Sequence, residues 1–155
     1  MSVEDFVSLV AQVTGAIAGK PVDKQLEAEL NARFPADGSL FQAITSACHA
    51  AIAEGWMCNR EHGGIKFGRV AKPGPELHGF SIDVVEMDEV VGPHHEHPKG
   101  EVDMIMPIDA TARFDGAAQG WFVYRAGSAH RPTVSGGKAR VLYLLPEGEI
   151  RFTGQ

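Results

Sequence analysis

From Gly63 onward, the sequence consists of short β-prone runs that glycines and prolines separate. The runs are rich in branched and aromatic side chains, which favour strands, whereas glycine and proline favour turns. This spacing predicts an all-β barrel or sandwich rather than alternating βαβ units, in which longer helical segments would intervene. The β-prone runs are residues 65–70, 80–85, 102–106, 121–124 and 140–145.

The chain before this region has helical periodicity. Apolar residues recur at helical spacing over residues 6–17 and again over residues 26–34. A third helix is predicted to begin near Ser39, with that serine as its cap, and to stop at Gly55. These faces are apolar enough to form a core or an interface.

The length and composition suit one compact domain. A chain of 155 residues with 44% hydrophobic residues can supply a single core. We predict a helical segment over residues 1–60 that packs on a β-barrel over residues 61–155. The two cysteines, Cys48 and Cys58, lack Cys-x-x-Cys spacing and are predicted to be reduced packing residues.

Charge and hydropathy argue against nucleic acid and membrane partners. The 14 basic and 20 acidic residues give a net charge of −6. A winged-helix DNA-binding unit is a poor alternative, because residues 39–54 contain no lysine or arginine to contact phosphates. No apolar run approaches the roughly 20 residues that span a bilayer, and the N-terminus lacks the positive start of a signal peptide, so we expect a cytoplasmic protein.

Three histidines and a glutamate occur at metal-ligand spacing. His95 and His97 share one face of an extended strand, and a turn over residues 98–100 would return Glu101 beside them. His130 follows a further glycine turn and could supply a fourth ligand. The alternative is that these histidines are hydrogen-bonding residues on a solvated barrel rim.

The mixed nitrogen and oxygen donors indicate which ion such a site would take. Imidazole with one carboxylate suits a divalent transition metal such as Fe, Mn, Ni or Zn, whereas Mg or Ca would favour all-oxygen ligands. Four protein ligands on an octahedral ion would leave positions for substrate or water. The sequence also permits a site that works without metal.

Three other residues are substrate-binding candidates. Arg60 lies at the junction of the helical and β regions, where a loop could bring it against a substrate carboxylate, although an exposed hairpin is equally compatible. Arg131 follows His130 and would point away from the cavity in a regular strand, whereas a bulge would turn it inward. Tyr124 ends an apolar run, which is typical of core as well as of a substrate platform.

The histidine motifs resemble those of cupins. His95-x-His97-x-x-x-Glu101 is similar to the first cupin motif, and the segment from Arg125 to His130 resembles the second, with arginine in place of the usual proline. The resemblance implies a mainly β, cupin-like jelly-roll barrel, here with an N-terminal segment of about three helices. Barrels of this kind commonly dimerise, so the resemblance also implies a homodimer.

A narrower resemblance covers most of the chain. Several segments resemble the bacterial 4-hydroxylaminobenzoate lyase family, whose members are small cupin-like proteins. The resemblance implies conversion of 4-hydroxylaminobenzoate, a small anionic aromatic compound, to 3,4-dihydroxybenzoate with release of ammonium, a step in nitroaromatic degradation. The similar segments are residues 55–64, 83–88, 92–95, 100–104 and 128–134.

Such a reaction needs groups that move protons. Glu101 is either a metal ligand or a general acid, and a carboxyl group in an apolar barrel would have a raised pKa. Asp103 has the same strand parity as Glu101 and is a second candidate, with an exposed strand carboxylate as the alternative. His130, like His95 and His97, could either bind a metal or carry protons directly.

Two other classes of function fit the same motifs. One is a metal-dependent dioxygenase or isomerase acting on a small aromatic acid. The other is a non-enzymatic cupin that binds such an acid and regulates transcription. Oxygen consumption would indicate the first, and salt-sensitive DNA binding would indicate the second.

Overall fold

The computed structural model describes residues 1–155. Three α-helices precede ten β-strands, and a short 3₁₀ turn, Pro75–Leu77, precedes the third strand. None of the three helices is long and apolar enough to span a membrane. The helices are α1 (Val3–Ile17), α2 (Lys24–Arg33) and α3 (Ser39–Glu54). The strands are β1 (Arg60–His62), β2 (Ile65–Ala71), β3 (Phe80–Val91), β4 (His95–His97), β5 (Glu101–Pro107), β6 (Arg113–Phe114), β7 (Gly120–Tyr124), β8 (Ser128–His130), β9 (Thr133–Pro146) and β10 (Arg151–Phe152).

The strands form two antiparallel sheets. The larger sheet has the order β1-β2-β3-β9-β5-β7, with β6 also paired to β9, and the smaller has the order β10-β4-β8. The predicted mainly β, cupin-like fold with three N-terminal helices is confirmed. The two sheets are not hydrogen-bonded to each other, so they form a two-layer jelly roll rather than one continuous closed barrel.

The start of α3 differs from the prediction. Ser39 is the first helical residue, whereas the capping position is Gly38, which offers no side-chain hydrogen bond. The Gly38 amide instead donates to the Pro35 carbonyl at 2.8 Å, so a backbone turn leads into the helix. The predicted end is correct, because Gly55 adopts the left-handed conformation with φ of 91°, which favours glycine.

The two faces of the larger sheet have different roles. Alternate side chains such as Val84, Val102 and Leu142 are fully buried and share one apolar core with the three helices. The residues between them project from the opposite face, toward the smaller sheet, as strand alternation requires. Glu101 and Asp103 belong to this second, inner face.

Helix α2 covers the edge of the larger sheet at β7. The Asn31 side chain donates to the Trp121 carbonyl and accepts from the Trp121 amide, both at 3.0 Å. Glu27 accepts from the Val123 amide at 2.8 Å. These side chains occupy the hydrogen-bonding positions of a missing neighbour strand, so the edge is not open to pairing with another chain.

We predict that Asn31→Ala destabilises the protein by about 1–3 kcal/mol, because it leaves two backbone groups of buried Trp121 without partners. Urea unfolding measures the difference. Gln25→Ala is the matched control, since Gln25 is exposed on the same helix, and its effect should stay within about 0.5 kcal/mol. Equal destabilisation by the two variants would contradict this role of Asn31.

Candidate metal centre and adjoining cavity

The predicted ligands come from both sheets. His95 and His97 lie on β4 of the smaller sheet, and His130 lies opposite His95 on the adjacent β8. Glu101 begins β5 of the larger sheet. The four side chains therefore meet between the two layers, and their donor atoms all lie within 4.8 Å of one another.

The turn that leads from β4 to β5 requires glycine. The Gly100 amide donates to the His97 carbonyl at 3.2 Å, and Gly100 has φ of +92°. A Cβ atom there would lie 2.9 Å from the Tyr124 carbonyl oxygen and 2.7 Å from a Val22 methyl carbon. Only glycine meets both conditions, and the resulting turn places Glu101 beside the histidines as predicted.

The distances between donor atoms fit a shared ion. The Nε2 atoms of His95 and His130 are 3.0 Å apart, and His97 Nε2 is 3.2 Å from Glu101 Oε2. Two ligands that bind one ion at about 2.1 Å and at right angles would be separated by about 3.0 Å. Glu101 is also within 3.6 Å of His95 Nε2 and 3.7 Å of His130 Nε2.

A hydrogen bond from Asp115 fixes the orientation of His130. Asp115 Oδ2 lies 2.6 Å from His130 Nδ1, and the carboxylate also accepts from the Thr133 amide at 2.8 Å and from the Tyr124 hydroxyl. Burial alone would raise the pKa of Asp115, but the hydrogen bonds from His130 and Tyr124 hold it below its usual value. A carboxylate only accepts, so His130 carries its proton on Nδ1 and directs the Nε2 lone pair at the centre.

His97 is oriented in a similar way by Ser128. The Ser128 hydroxyl donates to the Arg125 carbonyl at 2.6 Å, which leaves its oxygen free to accept from His97 Nδ1 at 3.0 Å. The Nε2 lone pair of His97 therefore also faces the centre. Such second partners are typical of metal-binding imidazoles.

Three of the buried donor atoms have no hydrogen-bond partner in the protein. His97 and Glu101 are fully buried, and neither His97 Nε2 nor either Glu101 oxygen makes a hydrogen bond. The raised pKa predicted for Glu101 is wrong: burial alone would raise this pKa, but the neighbouring His95 and His97 imidazoles lower it. A buried carboxylate without a hydrogen-bond partner needs a cation beside it, so the donor set fits one divalent transition metal. This burial does not match the alternative of a solvated rim.

Asp103 lies beside this centre on the same face of β5. It is fully buried, and neither of its oxygens has a hydrogen-bond partner. Burial and the negative charge of Glu101 raise the pKa of Asp103 well above its usual value. The pKa values of the two neighbouring carboxyl groups therefore shift in opposite directions, which favours the ionised form of Glu101 and the protonated form of Asp103.

A cavity of about 680 Å³ opens next to His95. This volume is within the range of small-molecule sites. Its walls are mainly apolar, and its polar lining comes from both sheets. The apolar lining includes Ile65, Phe67, Val85, Met87, Leu145 and Phe152, and the polar lining includes Arg60, His62, Arg69, Asp83, His95 and Tyr143.

The three predicted substrate-binding residues lie in different places. Arg60 lines the cavity. Arg131 is exposed and does not line it. Tyr124 packs against the His97 and His130 rings, at centroid distances of 5.2 and 4.4 Å, and supports Asp115 from outside the cavity.

Sequence reasoning missed Tyr143 and Asp115. Tyr143 lines the cavity, and its hydroxyl makes no hydrogen bond to another residue. Alternation along β9 could have identified it, because Tyr143 has the opposite parity to Leu142 and Leu144, which face the helices. Asp115 had no such signal, because it lies in a turn with φ of 49° and reaches His130 only through the tertiary fold.

Comparison with known proteins identifies the family. The profile of the PnbB family, 4-hydroxylaminobenzoate lyase, matches residues 8–152. A 4-hydroxylaminobenzoate lyase from Nocardioides sp. (strain LMS-CY) is 28% identical over 158 residues, which cover 96% of this chain and 94% of that protein. A second 4-hydroxylaminobenzoate lyase, from Pseudomonas putida, is 28% identical over 169 residues, which cover 98% of this chain and 96% of that protein.

Among solved structures, an RmlC-like cupin protein from Ralstonia eutropha JMP134 is 13% identical, with a TM-score of 0.45 over 58% of this chain and 60% of that one. The match of the family profile to nearly the whole sequence shows that this chain belongs to the 4-hydroxylaminobenzoate lyase family of enzymes.

Proposed function

We propose that the protein converts 4-hydroxylaminobenzoate and water to 3,4-dihydroxybenzoate and ammonium. The observation that carries the proposal is the buried set of three imidazoles and one carboxylate, which adjoins a cavity of small-molecule size through His95. Membership of the family supports the choice of substrate. The largely apolar walls suit an aromatic ring.

The reaction needs no external oxidant. Cleavage of the N–O bond, with a proton added to the departing oxygen, releases water and leaves an electron-poor ring. One water then adds to the carbon beside the C–N bond, and a second replaces the nitrogen, which departs as ammonia. The nitrogen is reduced as the ring is oxidised, and one water is consumed in total.

Tyr143 is the group best placed to supply the first proton. Tyr143 lines the cavity and its hydroxyl has no hydrogen-bond partner in the protein, so it is free to donate to the N-hydroxyl oxygen of a bound substrate. On the neighbouring strand, Asp103 lies directly opposite Tyr143 in the sheet register. Protonated Asp103 could restore the proton to Tyr143 between turnovers.

The candidate metal centre would promote the addition of water to the ring. Glu101 and the three histidines would hold one divalent ion, whose chemistry when bound is to make water a better nucleophile. Of these four residues His95 lines the cavity, so water would meet the substrate ring on the His95 side. His130, held by Asp115, can take a proton only on Nε2.

A metal-free version of the site is the second candidate. The 3.0 Å separation of His95 Nε2 and His130 Nε2 also suits an N–H···N hydrogen bond. In that version the imidazoles transfer protons directly. A redox metal in the same ligands would instead permit the dioxygenase chemistry that the cupin motifs suggest.

We predict that the protein binds one divalent transition-metal ion per chain and that Glu101→Gln weakens this binding. Glu101 would bind the ion directly, so its loss should reduce metal affinity by more than the roughly 10–100-fold that is typical when a residue hydrogen-bonded to a ligand is replaced. Elemental analysis of purified protein and calorimetric titration of stripped protein measure content and affinity.

Glu96→Gln is the matched control, because Glu96 lies between the two histidines on β4 and pairs with Arg151 instead of facing the centre. Its metal affinity should equal that of the wild type. A metal-free protein, or wild-type affinity in Glu101→Gln, would contradict the metal assignment.

We predict that the purified protein releases ammonium and 3,4-dihydroxybenzoate in equal amounts from 4-hydroxylaminobenzoate without consuming oxygen. Matched samples stripped by chelator should lose activity and regain it with one metal, because the centre activates water. Release that survives stripping would favour the metal-free version. No release from untreated protein would contradict the lyase proposal, and oxygen consumption would favour the dioxygenase.

We predict that Tyr143→Phe lowers kcat roughly 100-fold or more while metal content stays that of the wild type, because only the proton donor is removed. The hydroxyl has no partner in the fold, so the melting temperature should change little. Steady-state kinetics measures the effect. A wild-type kcat in Tyr143→Phe would exclude Tyr143 as the proton donor.

A further inference from the structure

The cavity next to His95 contains one guanidinium group without a partner. Arg60 on β1 lies directly opposite Phe67 on β2, so both side chains lie on the same side of the sheet, where both line the cavity. Arg60 makes no hydrogen bond or ion pair with another residue. An uncompensated cation in a chain of net charge −6 is a candidate for binding an anion.

The second arginine of the cavity is already occupied. Arg69 donates from Nε to Asp83 Oδ1 at 3.1 Å and from Nη2 to Asp83 Oδ2 at 3.2 Å, and also to the Gly148 carbonyl at 3.1 Å. Its charge is balanced by Asp83 within the protein. Of the two arginines, Arg60 is therefore the one that is free to bind a ligand.

An exposed aromatic ring lines the cavity from the smaller sheet, whereas Arg60 belongs to the larger sheet. Phe152 on β10 is 62% exposed, yet it lines the cavity with its ring centroid 5.7 Å from that of His95. Its position is fixed, because Phe152 pairs with His95 in the sheet and the next residue, Thr153, donates its amide to the His94 carbonyl at 3.2 Å. A large apolar ring held in solvent beside a cavity offers a surface for another planar ring.

We propose that Arg60 and Phe152 recognise an aromatic carboxylate in this cavity, with Arg60 pairing with the carboxylate and Phe152 packing on the ring. The inference rests on the proposed function for the identity of the substrate. It goes further in assigning charge recognition to one wall and ring recognition to the other. The carboxylate would then point toward β1 and the para substituent toward His95 and Tyr143.

The test compares binding of 4-aminobenzoate with binding of the neutral 4-aminobenzamide, by calorimetry on the whole purified protein. Neither probe has an N-hydroxyl group to cleave, so binding is measured without turnover. The wild type should bind the acid about tenfold or more tightly than the amide. Arg60→Gln should weaken acid binding by about tenfold or more and change amide binding less than twofold, because only a charge-assisted contact is lost.

Phe152→Ala should weaken the acid and the amide equally, by roughly 2–10-fold, because ring packing does not depend on the carboxylate. Phe152→Tyr keeps an aromatic ring at this position, so it should bind both probes as tightly as the wild type. Two controls are matched to these changes. Lys72→Gln removes one positive charge from an exposed side chain outside the cavity, and Arg151→Gln alters the exposed neighbour of Phe152; both should bind like the wild type.

Three results would overturn the inference. They are no binding of 4-aminobenzoate by the wild type, equal loss of acid and amide binding in Arg60→Gln, and loss of acid binding in Arg131→Gln but not in Arg60→Gln. Ammonium release from 4-hydroxylaminobenzoate is measured separately on the same samples. If acid binding depends on Arg60 but no ammonium is released, the lyase proposal is refuted and the recognition site stands. If ammonium is released but acid binding does not depend on Arg60, the recognition site is refuted and the lyase proposal stands.

Discussion

The structure depends on the burial of a carboxylate among three imidazoles between two sheets. Glu101 is fully buried and receives no hydrogen bond from the protein, and an isolated buried anion is strongly unfavourable. Strands β4 and β8 bring His95, His97 and His130 to within 3.2–3.7 Å of its oxygens, where a cation bound by the same groups would balance its charge. The carboxylate thus joins the two layers, and a bound cation would hold them together more strongly than apolar packing alone.

The larger apolar core and the candidate metal centre lie on opposite faces of the larger sheet. The outer face shares its core with the helices, and α2 also closes the β7 edge through Asn31 and Glu27. The inner face has a smaller apolar core, to which Tyr143 belongs, and it also contains Asp103 without a hydrogen-bond partner. An apolar cavity beside a polar centre results from this division.

Much of this arrangement could be predicted from the sequence, because its main signals are local. Strand parity, a glycine turn and the spacing of His95, His97 and Glu101 identify the candidate ligands, and helical periodicity identifies the three helices. Contacts formed only by tertiary packing could not be predicted in the same way. Asp115 reaches His130 from a distant turn, and Phe152 reaches the cavity because the C-terminal strand pairs with β4. The homodimer and the cytoplasmic location stay predictions.

In the proposed reaction, the buried centre directs water to an aromatic hydroxylamine without an oxidant. The most direct test follows the origin of the two ring oxygens in 3,4-dihydroxybenzoate by mass spectrometry. Turnover in ¹⁸O-labelled water should label both hydroxyl groups, and turnover under ¹⁸O₂ in ordinary water should label neither. Incorporation of label from ¹⁸O₂ would contradict the account and identify the centre as that of an oxygenase.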